Sequence, residues 1–421
     1  MQSLRGFSLV EVLVAIGIFV AVAISFFGAT VIAFDAASQA GDKIEAAFLL
    51  EEGVEAVKFM RDSSWLTNIA PQDIFYEQCL RVENTTPPAA PGVQFTTKPV
   101  GLKFLMHMDA TGGTATVASD SSGGNHHGII HPSVIVNGTF VGPRYTAFNF
   151  NGVQSIEIPA HTDFTNLGSF TVSAWVKTAN AGSGLRRIVS QQFLTNYWYL
   201  GLRDNIIEFG SSNDALQITK GSAISSNPPV WHHVAVIRDI ASPSKKLYWY
   251  LDGVLIGSED ISSTAVYNMS TAQIFIGGRN FVGNNCTLNC YNGDLDEVSL
   301  YDRALSSLEI ELLAKHNIPA CGSELGSFIR SVRFTNVCRT ESAQSIHGIA
   351  YAVDDIVGTT TATTLGDNLC GFPGALANST TLDLDTKYAR VRTAWKRKDK
   401  FFEEATEFYF ANLFSESNGN N

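Results

Sequence analysis

Basic residues are scarce. Lys and Arg number 29 against 40 Asp and Glu, giving a formal net charge of −11. A nucleic-acid partner is not expected, because phosphate recognition needs a basic footprint. Charge of either sign is thin, at 16% against roughly 25% in an average globular chain. With 45% hydrophobic residues, the chain is not of the disordered class. The six cysteines, Cys79, Cys286, Cys290, Cys321, Cys338 and Cys370, include no Cys-x-x-Cys pair with zinc spacing. An even number of cysteines behind an export-type segment points instead to disulfides and an extracytoplasmic location.

The strongest local absence is of charge between Glu11 and Asp35, 23 residues long. As a helix this run spans about 35 Å, enough for a bilayer core. It is too long for a secretory signal peptide, which has a shorter apolar core followed by a small-residue cleavage site. Here the polar leader is only MQSLRG, and Gly6 precedes the apolar run. The carboxylate of Glu11 near its start is costly, at about 3 kcal/mol for an acid at the bilayer centre. Further on, Ile44, Ala47, Leu50, Val54, Val57 and Met60 recur at three- and four-residue spacing, which continues the helix in amphipathic form.

The phrase GFSLVE, Gly6 to Glu11, resembles the N-terminus of type IV prepilins. The resemblance implies cleavage after Gly6 by a prepilin peptidase and methylation of the new N-terminal Phe7. It also implies that Glu11 acts in assembly, pairing with the Phe7 ammonium of its own or a neighbouring subunit. Such pairing offsets the desolvation of a lone carboxylate. LLEEGVEAVKFMRDSSW (residues 49–65) looks like the second half of the long helix of bacterial minor pilins. Residues 327–339 read as a strand, and residues 387–414 as a hairpin turning near Lys398-Asp399, basic on one strand and acidic on the other. This C-terminal part resembles a minor-pilin sheet.

Between two breaks, residues 83–101 and 315–326, short alternating runs mark an antiparallel sandwich. Phe170, Val172, Ala174 and Val176 alternate with Thr171, Ser173 and Trp175; Trp231, His233, Ala235 and Ile237 share a face; Asp252-Gly253 suits a type I′ turn. These runs resemble the laminin-G-like, concanavalin A-like jelly-roll family, through SFTVSAWVKT, WHHVAVIRD, KLYWYLDGVLIGS and YNGDLDEVSLYDRALSSLEIELL. The fold expected is α+β with an all-β insertion: a long N-terminal helix and a small antiparallel sheet, interrupted by a β-sandwich. The expected divisions are 1–6 leader, 7–34 membrane half of the helix, 35–84 amphipathic half and first loop, 85–100 Pro/Thr-rich linker, 101–316 jelly roll and 317–421 C-terminal sheet.

The jelly-roll resemblance implies a structural Ca²⁺ held by Asp120, backbone oxygens of Asn125 to His127, and Asp296. The acids Asp294, Asp296 and Glu297 sit where sandwich glycosidases could carry theirs. That chemistry needs two same-face carboxylates flanking the sugar bond. Asp294 and Asp296 could share a face, but Glu297 points the other way and no acid follows at 298–300. In the family resembled this phrase is a structural signature, so no enzyme is expected. Adjacent histidines, His126-His127 and His232-His233, face opposite sides of a strand and do not chelate one ion together. The aromatics Tyr197, Trp198, Tyr199, Tyr248, Trp249 and Tyr250 offer a sugar-stacking platform from those not facing the core.

Cys286 and Cys290 are close enough to staple one loop. By the pilin resemblance, Cys338 and Cys370 bound a C-terminal loop. Cys79 and Cys321 flank the insertion and would tie its neck, with Cys79–Cys338 as the alternative. The reading is a minor type IV pilin displaying a laminin-G-like module for adhesion to a glycan or protein. Its partners are prepilin peptidase, other pilin subunits and the bacterial cytoplasmic membrane before assembly; the globular part is extracellular in the filament. A pseudopilin of a secretion or DNA-uptake machine is the alternative, and an anchored glycan-active enzyme the remote one.

Overall fold

The computed structural model describes residues 9–70, 77–84, 93–109, 113–137, 146–178, 184–241, 243, 245–269, 271–282, 285–316, 319–322, 328–340, 350–352, 380–397 and 400–412. Gly6, Phe7 and Cys370 lie outside them, as does the side chain of Cys338.

One helix, Leu9–Ser63, runs for 55 residues, roughly 80 Å at 1.5 Å per residue. Its first half is long and apolar enough to cross a membrane, and none of that stretch is buried within the protein. Its second half is different. Ala46, Gly53, Ala56, Val57 and Met60 are buried against an antiparallel sheet ordered Gln78–Cys79, Phe328–Thr340, Thr380–Arg397, Lys400–Ala411, with Ala350–Ala352 on the second strand. The shared core is Val57, Met60, Trp65, Leu80, Val332, Phe334, Val391 and Phe410. Gly53 is where the helix comes closest. A Cβ there would meet Val391 Cγ1 at 2.7 Å and Arg330 Cδ at 3.0 Å. The Arg330 side chain, 1% exposed, pairs with Glu52 at 3.0 Å and donates to the carbonyls of Leu49 and Leu80. One cation thereby ties helix, first loop and sheet. Arg397, at the hairpin end, reaches Asp35 and Asp42 at 3.4 Å each, pinning the sheet to the helix where its charges begin. The basic and acidic hairpin strands pair in register, Arg397 opposite Lys400 and Arg390 opposite Glu407, with Arg390–Glu407 at 3.5 Å.

Between the first and second strands of that sheet the chain leaves to build the sandwich. Part of the expected linker is itself strand: Val93–Thr96 pairs with Arg81–Asn84. The sandwich strands follow one hydrogen-bonded order, from Leu216–Lys220 through Ile206–Ser211, Asn196–Arg203, Leu185–Phe193, Ile274–Ile276, Ser155–Ile158, Gly128–Asn137, Ala147–Asn151, Asn292–Tyr301, Phe170–Thr178, His232–Asp239 and Lys246–Leu251 to Val254–Asp260; Leu102–Met106 joins Asn292–Tyr301. The two halves of this order enclose one core, which takes Phe170, Val172, Ala174 and Val176 from one side and Trp198, Leu200, Ile207 and Phe209 from the other. Alternation does the sorting, because successive side chains leave a strand on opposite faces. The Asp252-Gly253 turn has φ of 50° and 77°, as a type I′ hairpin requires.

The two parts are joined by more than a tether. Cys79 bonds Cys321, and Cys286 bonds Cys290. Around the first bond, Leu308 and Leu312, which follow the last sandwich strand, pack with Ile329, Ala394 and Phe401 of the helix-bearing sheet. Glu311 joins them through Lys396 at 2.6 Å. Burial raises the Glu311 carboxyl, but its bonds to Lys396 and Lys315 outweigh this and hold it below the usual carboxylate range.

Candidate functional site

Strands Leu102–Met106, Asn292–Tyr301, Phe170–Thr178 and His232–Asp239 lie side by side. Their outward residues form the floor of a cleft of about 230 Å³: Leu105, His107, Ser173, Trp175, His233 and Glu297. The far wall comes from the neck, through Glu77, Gln78, Thr97, Lys98, Pro99 and Pro319, and the loop residues Ser121, Ser122 and Gly123 close one end. At this volume the cleft is smaller than the roughly 300–1,000 Å³ of drug-sized sites. It suits one small ring-sized group rather than a long chain.

The chemistry of the floor comes from a bulge. The pairing of Asn292–Tyr301 with Phe170–Thr178 slips between Asp296 and Ser299, and Glu297 takes a φ of 48°. A bulge re-aims a side chain that alternation would send elsewhere. Leu295 and Val298 both face the core, so Asp296 and Glu297 leave the strand between them. Glu297 lines the cleft, contrary to the orientation expected from strict alternation. Its carboxylate meets His107 Nδ1 at 2.7 Å, each side chain 10% exposed. Next to this pair, Ser173 and Ser299 share a hydroxyl–hydroxyl bond of 2.8 Å. Trp175 stands edge-on to His233 with ring centroids 5.6 Å apart. The floor thus offers an indole, two imidazoles, a carboxylate and two hydroxyls, which is a mixed apolar and hydrogen-bonding surface of the sort that orients a polyol.

The carboxylates expected to hold calcium are engaged by protein hydrogen-bond donors. The Asp120 carboxylate accepts from Leu105 N at 3.0 Å, Ser122 N at 2.9 Å, Ser122 Oγ at 2.8 Å and His126 N at 2.9 Å. Both oxygens face N–H and O–H donors, whose positive ends oppose a cation. His127 Nδ1 accepts from the Asp120 amide at 3.1 Å, which uses its lone pair as well. Asn125 takes a φ of 58° at the loop turn. Asp296, buried at 1% exposure, accepts from the Glu297 amide at 2.8 Å and so supports the bulge. Asp120 organises the loop and Asp296 shapes the strand, each carboxylate already accepting from protein donors. Asp294 accepts from Asn149 Nδ2 at 2.6 Å and lies 3.7 Å from Lys177.

The aromatic run divides as alternation requires. Trp198 and Trp249 lie in the core. Tyr197 and Tyr199 stack on the side away from that core, centroids 6.1 Å apart, with the Arg187 guanidinium 4.2 Å from the Tyr199 ring and Tyr199 fully buried. Burial, aided by the Arg279 charge, lowers Arg187 to about 10. Glu11 lies on the exposed surface of the first described helical turn.

A family model described as the concanavalin A-like lectin/glucanases superfamily matches residues 150–311. That span is under half of the chain, which is similar there to a concanavalin A-like jelly roll. The cleft floor uses strands from inside this jelly roll together with Leu102–Met106, which precedes the matched span. No curated protein matches the chain. Among solved structures, the binding domain of Paraclostridial Mosquitocidal Protein 1 is similar at 20% identity and a TM-score of 0.40, over 51% of this chain and 52% of that one. The chain therefore spans about half the length of that relative. Domain 4 of AbnA, a GH43 extracellular arabinanase from Geobacillus stearothermophilus, solved in complex with arabinotriose, is similar at 19% identity and a TM-score of 0.39, over 52% of this chain and 100% of that one. The CBM40 of the Ruminococcus gnavus IT-sialidase is similar at 14% identity and a TM-score of 0.34, over 40% and 96%.

Proposed function

We propose that this protein is a minor subunit of a type IV filament and that its jelly roll displays an adhesive cleft for a glycan. The observation that carries the filament reading is the division of the helix. One half of it is bare and apolar; the other half is covered by a sheet into which the jelly roll is inserted, with the neck closed by Cys79–Cys321. A plain membrane anchor needs no continuous 55-residue helix, since about 20 residues span a bilayer. A bare helix end that can pack against like helices, with a bulky module held to one side, suits a filament subunit. Assembly would follow peptidase cleavage after Gly6, with Glu11 pairing the Phe7 ammonium.

The glycan reading rests on the cleft. Trp175 supplies a flat apolar face, and His107, Glu297 and the serines supply donors and acceptors around it. Glycan-array binding by the detergent-solubilised full chain tests it. Trp175→Ala should weaken the best ligand by at least about tenfold, the smaller end of what truncating an aromatic hot spot costs. Glu297→Gln should weaken it too, by removing the charged acceptor. Unchanged binding in both variants would move the ligand site off this face, to the Tyr197–Tyr199 side or the loops.

A further inference from the structure

Beside the loop that Asp120 organises, three side chains converge that neither the family match nor the cleft explains. His126, His161 and Asp163 each present one ligand atom, and the three atoms lie within 4.8 Å of one another. His126 Nε2 is 2.9 Å from Asp163 Oδ2, and His161 Nδ1 is 3.4 Å from the same oxygen. We infer that His126 Nε2, His161 Nδ1 and Asp163 Oδ2 form a binding site for one divalent transition cation of the zinc type.

The geometry is built by the fold. The Asp120 carboxylate holds the His126 amide, fixing that residue in its loop. The His126 ring lies against Phe164, centroids 4.6 Å apart, and against His161 at 4.5 Å. Phe164 is fully buried and closes the short turn Thr162–Phe164, which His161 caps. The two imidazoles and the carboxylate thus come from two segments, both anchored in the core. His126 is nearly buried, at 4% side-chain exposure, whereas His161 and Asp163 are 49% and 42% exposed. A cation therefore has access from solvent and a rigid inner ligand.

A simple hydrogen-bonded pair accounts for only part of this. The Asp163 amide donates to His161 Nδ1 at 3.2 Å, so in the neutral ring that nitrogen bears a lone pair. The same nitrogen faces Asp163 Oδ2, another acceptor. Two acceptors turned toward each other repel, and a positive ion near both removes the repulsion. Lys103, the competing cation, is engaged by Asp302 at 2.8 Å.

The donor set selects the class of ion. Two imidazoles and one carboxylate suit Zn²⁺ and its neighbours, while Ca²⁺ and Mg²⁺ take oxygen ligands. Three protein ligands leave one tetrahedral position for water or a donor from a bound partner. The ion would also brace the loop whose Ser121, Ser122 and Gly123 line the cleft.

The test is a Co²⁺ titration of the full chain in detergent, followed by visible absorption, with Zn²⁺ as competitor. One equivalent of Co²⁺ should bind with a saturable visible band that Zn²⁺ abolishes. His161→Ala removes a turn cap and Asp163→Ala a partner of His126, so both should lower the metal-free melting temperature modestly while leaving the protein folded. Each should lower Co²⁺ affinity by about 100-fold or more, since loss of an outer-shell partner alone costs roughly 10–100-fold. His131→Ala should bind as the wild type does. Absence of a saturable band, or one that persists unchanged in both His161→Ala and Asp163→Ala, overturns the assignment.

Discussion

Asp214→Ala should destabilise the sandwich by about 3–5 kcal/mol, the usual result of stripping one partner from a buried ion pair. Both side chains of the Asp214–Arg238 pair are 0% exposed. The contact is bidentate, Nε to Oδ2 at 2.8 Å and Nη2 to Oδ1 at 2.9 Å. Arg238 also donates to the Gly168 carbonyl at 2.7 Å, and its guanidinium lies 5.2 Å from the Tyr267 ring. Burial and the Asp214 charge together push the Tyr267 hydroxyl well above its ordinary range. Asp214 sits in the turn after Ile206–Ser211, and Arg238 lies on His232–Asp239, so the pair joins the two halves of the sandwich. Without Asp214, a guanidinium stays buried with no counter-charge. Since domains are stable by only about 5–15 kcal/mol, the loss is a large share of the total. A urea melt of the full chain should show a clearly lower midpoint at an unchanged slope. Adding Arg238→Met should recover part of the loss, because the stranded charge goes with it. An Asp214→Ala protein that melts like the wild type would mean the charge finds solvent or another partner.

Glu11→Ala should separate insertion from assembly. Removing an acid that costs about 3 kcal/mol in a bilayer should leave membrane insertion as good or better. Incorporation into filaments should nevertheless fall by about 100-fold or more. Breaking a buried pair costs roughly 3–5 kcal/mol, and each 1.4 kcal/mol is a factor of ten. The loss arises because the Phe7 ammonium would enter the apolar helix bundle without its partner. Immunoblots of sheared filaments against membranes, at equal expression, read the two effects separately. Equal incorporation of mutant and wild type would mean that Glu11 has no pairing role in this subunit.

The parts of the structure that were legible in the sequence are those set by local periodicity. The uncharged run after Glu11, the alternation through Phe170 and Val176, and the Asp252-Gly253 turn each state their conformation within a few residues. The outward orientation of Trp175 follows from the same alternation. The site itself was less legible, because its parts meet across the chain. His107 and Glu297 lie 190 residues apart. Glu297 reaches the cleft through a bulge, and one extra residue reverses the face that simple alternation assigns. Asp120 reads as a calcium ligand only through the jelly-roll resemblance, while folding surrounds it with donors from Leu105, Ser122 and His126. Val93–Thr96 reads as linker beside its prolines, but pairs with Arg81–Asn84. The histidine pairs read as strand neighbours facing opposite sides, although His126 and His127 lie in a loop. They gave no sign that His126 would meet His161, which arrives from the far end of another strand.

The central claim is that the helix belongs to a filament subunit, and processing tests it most directly. The chain should be expressed in a host with an active prepilin peptidase, extracted from membranes, and its N-terminal peptide read by mass spectrometry. A filament subunit should begin at Phe7 with a methylated α-amine. A chain that keeps residues 1–6 joined to Phe7 under those conditions would contradict it.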